Sequence, residues 1–227
     1  MKQNLENIRR RIADAATACG RDPQTVRLVA VTKTVSVDRV AEAIDAGIDI
    51  VGENYIQEAR DKFDALYDRP LTWHFIGHLQ SNKAKYAVRM FDLIHSVDSL
   101  KLARALDKAA QNNAKIQKIL IQVNISQEES KSGTTENEAM DLVTDISRLE
   151  HVRIKGLMTM PPFFDQPERA RPFFHQLARL QSRIADRNIP GVRMDELSMG
   201  MTGDFEVAIQ EGATLVRIGT ALFGARR

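Results

Sequence analysis

The sequence predicts an α/β protein, a single (β/α)8 barrel of TIM type with an extra N-terminal helix. Three observations lead there. Eight short apolar runs recur along the 227 residues, and helical segments separate them. Most of the runs are apolar on both faces, as strands of a parallel sheet covered on both sides must be. One domain, residues 1–227, is expected; eight such units in about 200 residues lie at the small end of the range for this fold. An open doubly wound sheet is the competing topology. It usually carries a glycine-rich turn after its first strand, and the turn here, TKTVSVD, has no glycine.

Residues 2–19 read as an amphipathic helix with Leu5, Ile8, Ile12, Ala15 and Cys19 on one face. Arg9 to Arg11 lie inside that pattern and read as a solvated helix face rather than a nucleic-acid patch. The first strand run is VRLVAVTK (26–33). Ser36 then caps a helix carrying apolar Val40, Ala43 and Ile44 and ended by Gly47. The next runs are IDIVGEN (48–54), LTWHFIGH (71–78), DLIHSV (92–97) and KILIQVNI (118–125). VRIKGLMTM (152–160), ELSMGM (196–201) and TLVRIGTALFG (214–224) complete the eight. The helix over 167–188 shows Phe174, Leu177, Leu180 and Ile184 at helical spacing, so Pro172 must sit early or kink it. GDFEVAIQEG (203–212) starts a helix near Asp204 and stops it at Gly212. The longest polar stretch, SQEESKSGTTENE (126–138), follows the fifth strand; it reads as a solvated loop, or as a lid whose Lys131 touches ligand.

Composition narrows the function. Apolar content is 43%, charged content 27% and net charge +2, a soluble globular balance with no excess of bases for nucleic acid. No apolar run reaches the roughly 20 residues of a membrane span, and the charged N-terminus lacks the core of a signal peptide. The lone Cys19 cannot form an internal disulfide, so a cytoplasmic location is the expectation.

In such a barrel the chemistry gathers at the C-terminal strand ends. Those ends carry Lys33, then Glu53 and Asn54, His78, Ser96, Asn124, Thr159, Ser198 and Gly200, and finally Arg217, Gly219 and Thr220. The first and last strands become neighbours when a barrel closes. Lys33 shares parity with Val29 and Val31, and Arg217 with Leu215 and Gly219, so both cations can point inward. A desolvated lysine near a second cation favours the neutral amine, which forms Schiff bases with carbonyls. A lysine snorkelling to water from a strand end is the other reading. Ser198, Gly200, Thr202 and Gly203 form a small loop before a helix, and Gly219 and Thr220 a second one. Loops after strands seven and eight are the usual phosphate cradle of this fold. Lysine, arginine and cradle together describe a site for a phosphorylated aldehyde. His74 and His78 are four apart in a strand, about 13 Å, too far to share a metal. His95 is expected to be buried or hydrogen-bonded, and Trp73 and Phe75 to pack; no metal site is expected.

The segments VAVTKTVSVD, GENYIQEARDKF, WHFIGHLQSNK, KILIQVNISQEESKSG, IKGLMTMPPF and LSMGMTGDFEVAIQEGATLVRIGTALFG together resemble the pyridoxal phosphate homeostasis protein family. The resemblance runs over the chain beyond its first helix. It implies a fold like the N-terminal barrel of alanine racemase, and pyridoxal 5′-phosphate (PLP) held as a Schiff base on Lys33. It implies Arg217 at the pyridine nitrogen, Asn54 along the ring pocket, and Ser198, Gly219 and Thr220 around the phosphate; Gly200, from the first cradle loop, joins the expected cofactor-binding residues. His78 is not taken as catalytic, and the resemblance assigns no catalytic residue.

An arginine can only donate, so it leaves the pyridine nitrogen unprotonated and weakens the electron sink that PLP otherwise supplies. Alanine racemases add a tyrosine from a second domain and the partner subunit. Here the sequence ends at Arg227, and Tyr55, Tyr67 and Tyr86 all fall in helical segments. The expected function is therefore a carrier or buffer of PLP without appreciable amino-acid turnover, a monomer with apo PLP-dependent enzymes as recipients. The alternatives are a PLP-dependent racemase of a small amino acid and a Schiff-base aldolase of a phosphosugar.

Overall fold

The computed structural model describes residues 1–128 and 132–224. Eight parallel strands close into a barrel in sequence order. They are β1 (Arg27–Val31), β2 (Ile50–Glu53), β3 (Thr72–Phe75), β4 (Leu93–Val97), β5 (Gln117–Gln122), β6 (Val152–Met158), β7 (Glu196–Ser198) and β8 (Leu215–Ile218). The helices are α1 (Lys2–Ala18), α2 (Val37–Asp45), α3 (Ile56–Ala65), α4 (Ala84–Met90), α5 (Leu100–Gln111), α6 (Glu136–Ser147), α7 (Arg171–Ala185), α8 (Phe205–Gln210) and α9 (Thr220–Phe223). No helix among the described residues is long and apolar enough to cross a membrane.

The pleat divides each strand between two cores. Inward-facing Val29, Ile50, Leu93, Leu120, Met158 and Leu215 form an apolar plug inside the barrel. Outward-facing Ala30, Val51, Phe75, Ile94, Ile119 and Val216 join the larger core under the helices. Trp73 packs edge-on against Phe63, and Phe75 against Phe91, as expected of them. The barrel closes with Val29 opposite Arg217 and Leu28 opposite Val216. This register fixes the relative height of the two inward cations.

Several elements differ from their sequence reading. The first helix buries Leu5, Ile8, Ile12, Ala15 and Ala16, whereas Cys19 is its exposed C-cap. At that position the helix has turned its last residue out of the packed stripe. The arginines beside it are exposed but tied down. Arg9 donates to Gly47 O at 2.6 Å, and Arg11 pairs with Glu206 and lies over the Phe205 ring. The eighth apolar run is not strand throughout, because its TALF stretch turns into α9. The polar stretch after β5 is shorter than it looks in sequence. Thr135 and Glu138 form a capping box that starts α6, and Thr134 bridges back to Val123. Lys131 lies outside the described residues. Tyr67 sits in the turn after α3, and Tyr55 is the N-cap of that helix rather than inside it. Ser36 and Gly47 bound α2 as expected, although the Ser36 side chain makes no capping bond. Pro172 occupies the first turn of α7, where a missing N–H costs nothing.

The β6–β7 contact leaves no room for a side chain at position 156. Gly156 has φ +154°, and a Cβ there would lie 1.9 Å from Glu196 O. Gly156→Ala should lower unfolding stability by about 3 kcal/mol or more, read as a reduced urea midpoint.

Candidate functional site

Lys33 lies in the turn just beyond β1, at the mouth of the barrel. It lines a cavity of about 1030 Å³ together with Arg217, Thr202, Gly203, Asp204, Gly219 and Thr220. Val31, Val35, Phe163, Phe164 and Phe223 supply apolar wall. Strand parity brings the two cations to one cavity, as the sequence suggested.

Arg217 is buried, only 3% exposed, at the base of this cavity. Nη1 donates to Ser198 Oγ at 2.5 Å and Nη2 to Thr159 O at 2.9 Å. Burial pushes the guanidinium down to about 10, opposed by the Asp204 carboxylate, so it stays cationic at neutral pH. Burial likewise raises the Asp204 carboxyl, while a bond from Met201 N at 2.6 Å and the charge of Arg217 oppose the rise. Asp204 thus braces the turn over 201–204. Across that turn, Thr202 and Thr220 bring their hydroxyls within 3.3 Å of each other at the mouth.

The remaining expected site residues sit elsewhere. Ser198 is fully buried, and its hydroxyl lies between Arg217 and His95 Nδ1, the latter at 2.8 Å. It meets the guanidinium rather than the cavity. Gly200 adopts φ +89° with its carbonyl accepting from Arg217 N, so it fastens the backbone under Arg217. A Cβ on it would lie 2.6 Å from Ala208 Cβ. Asn54 lines a separate pocket of about 240 Å³ with Gly77, His78, Gln122 and Ser132. His78 is exposed there, 3.3 Å from Ser132 Oγ. Tyr55, 61% exposed, does not line the Lys33 cavity.

Two features of the site escaped the sequence. Thr202 belongs to the expected cradle loop, but the hydroxyl pair it makes with Thr220 depends on how two distant turns meet. The second is a polar chain inside the barrel: Arg217, Ser198, His95 and His74, with His95 Nε2 3.0 Å from His74 Nδ1. His95 was expected to be hydrogen-bonded, but its partners were not readable. His74 points inward beside it, since parity places it with Thr72 and Ile76. Among the described residues no group of three or more His, Cys, Asp or Glu is arranged to hold a metal.

The donor set suits a phosphorylated aldehyde. It offers one amine for a carbonyl, one fixed cation at the floor, and hydroxyls with a small glycine turn at the rim.

Comparison with known proteins agrees with this geometry. The alanine racemase N-terminal domain family matches residues 3–227. The chain is 45% identical to the pyridoxal phosphate homeostasis protein of Pseudomonas aeruginosa, over 99% of this chain and 95% of that one. PipY of Synechococcus elongatus PCC7942, in its structure without PLP, is 37% identical with a TM-score of 0.88, covering 99% and 100% of the two chains. Its structure with PLP bound is 38% identical with a TM-score of 0.82, covering 94% and 100%.

The buried histidines have a consequence for stability. Burial, then the charges of Arg27 and Lys118, lowers His74 from its ordinary 6.5 to about 3. Burial, then His74 and Arg217, holds His95 well below the same value. Both are neutral when folded, so the unfolded chain binds more protons below pH 6.5. Their contribution to stability is full above that pH and falls as the solution is acidified toward the lowered values. Each such histidine contributes a slope of about 1.4 kcal/mol per pH unit. Urea unfolding between pH 6.5 and 5 should show a slope smaller by about that amount in His74→Gln than in wild type.

Proposed function

The chain belongs to the pyridoxal phosphate homeostasis protein family, and from that membership and the cavity geometry we propose that it binds PLP and keeps it available to other proteins without appreciable amino-acid turnover. The observation that carries this reading is Lys33 and Arg217 on one cavity at the β1–β8 seam. When bound, PLP would supply an aldehyde for the Lys33 amine and a phosphate ester for the donors of the two turns.

Each residue then has a task. Lys33 holds the ligand covalently. Arg217 donates toward the pyridine nitrogen and cannot accept a proton from it. Thr202, Gly203, Gly219 and Thr220 hold the phosphate at the rim. Ser198 and Gly200 act one step back, by orienting Arg217 through its side chain and its amide. Asn54 lines the neighbouring pocket and would approach the ring only from there. The apolar wall of Phe164 and Phe223 limits water around the ring.

Turnover of an amino acid needs a second acid or base beside the lysine. Among the described residues lining the cavity there is no tyrosine and no histidine. Its one carboxylate, Asp204, is engaged with Met201 N. This favours a carrier over a racemase. A monomeric cytoplasmic protein delivering to apo PLP-dependent enzymes completes the proposal.

Purified protein incubated with PLP should be yellow, and borohydride should fix the cofactor on Lys33. Lys33→Ala should lose the visible band. The Thr202→Val/Thr220→Val pair should retain PLP at least about tenfold less tightly, as expected for hydrogen bonds to a charged group. PLP should pass to an apo-enzyme, while amino-acid racemisation stays at the Lys33→Ala level. Robust racemisation lost in Lys33→Ala would instead support the enzyme.

A further inference from the structure

β1 ends at Val31; past it, Thr32 N still donates to Gly52 O and Val35 N closes the turn onto Thr32 O, both at 3.0 Å. Strand parity aims the lysine inward only if the chain keeps its direction for two more residues. Beyond the ladder the turn is flanked by a buried ionic cluster. Lys62 of α3 is 4% exposed and its ammonium has three hydrogens. They meet Thr32 O at 2.5 Å, Glu53 Oε1 at 2.7 Å and Glu58 Oε1 at 2.7 Å. Glu53 Oε1 also accepts from Thr32 Oγ1 at 2.6 Å, and Glu58 Oε1 accepts from Thr34 N at 2.5 Å. Both neighbours of Lys33 are therefore held, one by its carbonyl and hydroxyl, the other by its amide. Thr34 has φ +62°, a conformation that a β-branched residue avoids unless its surroundings impose it.

We propose that Lys62 and Glu58 are positioning residues for Lys33. Resting on the assignment of Lys33 to the cofactor, this extends the site into α3, whose residues do not line the cavity. Lys62 fixes the Thr32 carbonyl and aligns Glu58. Glu58 in turn fixes the Thr34 amide and keeps the strained turn in place. The buried Glu53 carboxylate, raised by desolvation but countered by Lys62 and Thr32, completes the cluster. The backbone that carries Lys33 is thereby set before any ligand arrives, and the ordering cost of binding is lowered accordingly.

Two variants test the proposal. Glu58→Gln keeps the shape of a partly exposed side chain and removes its charge. The double variant Glu53→Gln/Lys62→Met removes the buried charges together, so neither is left uncompensated as it would be in Lys62→Met alone. The first readout is amide hydrogen exchange of the 32–36 segment in protein without ligand. The second is PLP affinity with the circular dichroism induced in the visible band, and melting temperature serves as the control. We expect exchange at this turn to be about tenfold faster, and PLP affinity about tenfold weaker with an altered induced signal, in both variants. Glu58→Gln should melt close to wild type. Wild-type exchange, affinity and induced signal in both variants would overturn the assignment. Should wild-type protein itself take up no PLP, the functional reading fails, and the exchange comparison alone decides whether this cluster holds the turn.

Discussion

A guanidinium enclosed in a barrel is the constraint around which this interior is arranged. Taking such a cation out of water costs several kcal/mol unless dipoles and charges replace the solvent. Here a serine hydroxyl, a strand-end carbonyl and a nearby carboxylate do so. The first of these partners extends the polarity inward. Ser198 reaches His95, and His95 reaches His74, so one charge organises a column of polar groups resting on an apolar plug. The cation also helps keep the adjoining imidazole neutral. A positive histidine beside it would add a second unsolvated charge. The polar chain therefore supports Arg217 only while it carries no charge of its own.

The cavity mouth follows from the same arrangement. Arg217 is anchored through side chain and backbone, and the turns after β7 and β8 are drawn together above it. Arg39 binds Phe223 O at 2.5 Å and holds the later turn from the side of α2. The mouth is thus bordered by segments far apart in sequence, each tied to a neighbour by a polar bond.

Much of this could be read from residue order, and the parts that could not have physical causes. Eight two-faced apolar runs separated by helices predict the barrel, and parity across its closing seam points Lys33 and Arg217 to one cavity. Parity did not reveal depth. Ser198 and Thr202 are four residues apart in one small polar stretch, yet one is enclosed and the other opens on the rim. Asn54 follows β2 on the inward parity, but the barrel is wide enough for it to border a different pocket. The ionic cluster was least visible. Glu58 and Lys62 have the spacing of a common surface pair on a helix. Only the packing of α3 on the end of β1 turns that pair into buried structure. Arg9 and Arg11 hid their anchoring in the same way, because an exposed charged face and a docked one have the same pattern.

The first helix carries a further implication. Its apolar face packs against α8 and α9, elements from the far end of the barrel. During synthesis this segment precedes its native cover, which arrives only after nearly the whole barrel has been made. Until then Leu5, Ile8 and Ile12 have no permanent shelter, and contacts of such long sequence separation form slowly. The highly charged opposite face, with Arg9, Arg10 and Arg11, keeps the waiting segment hydrated while the nascent chain is completed.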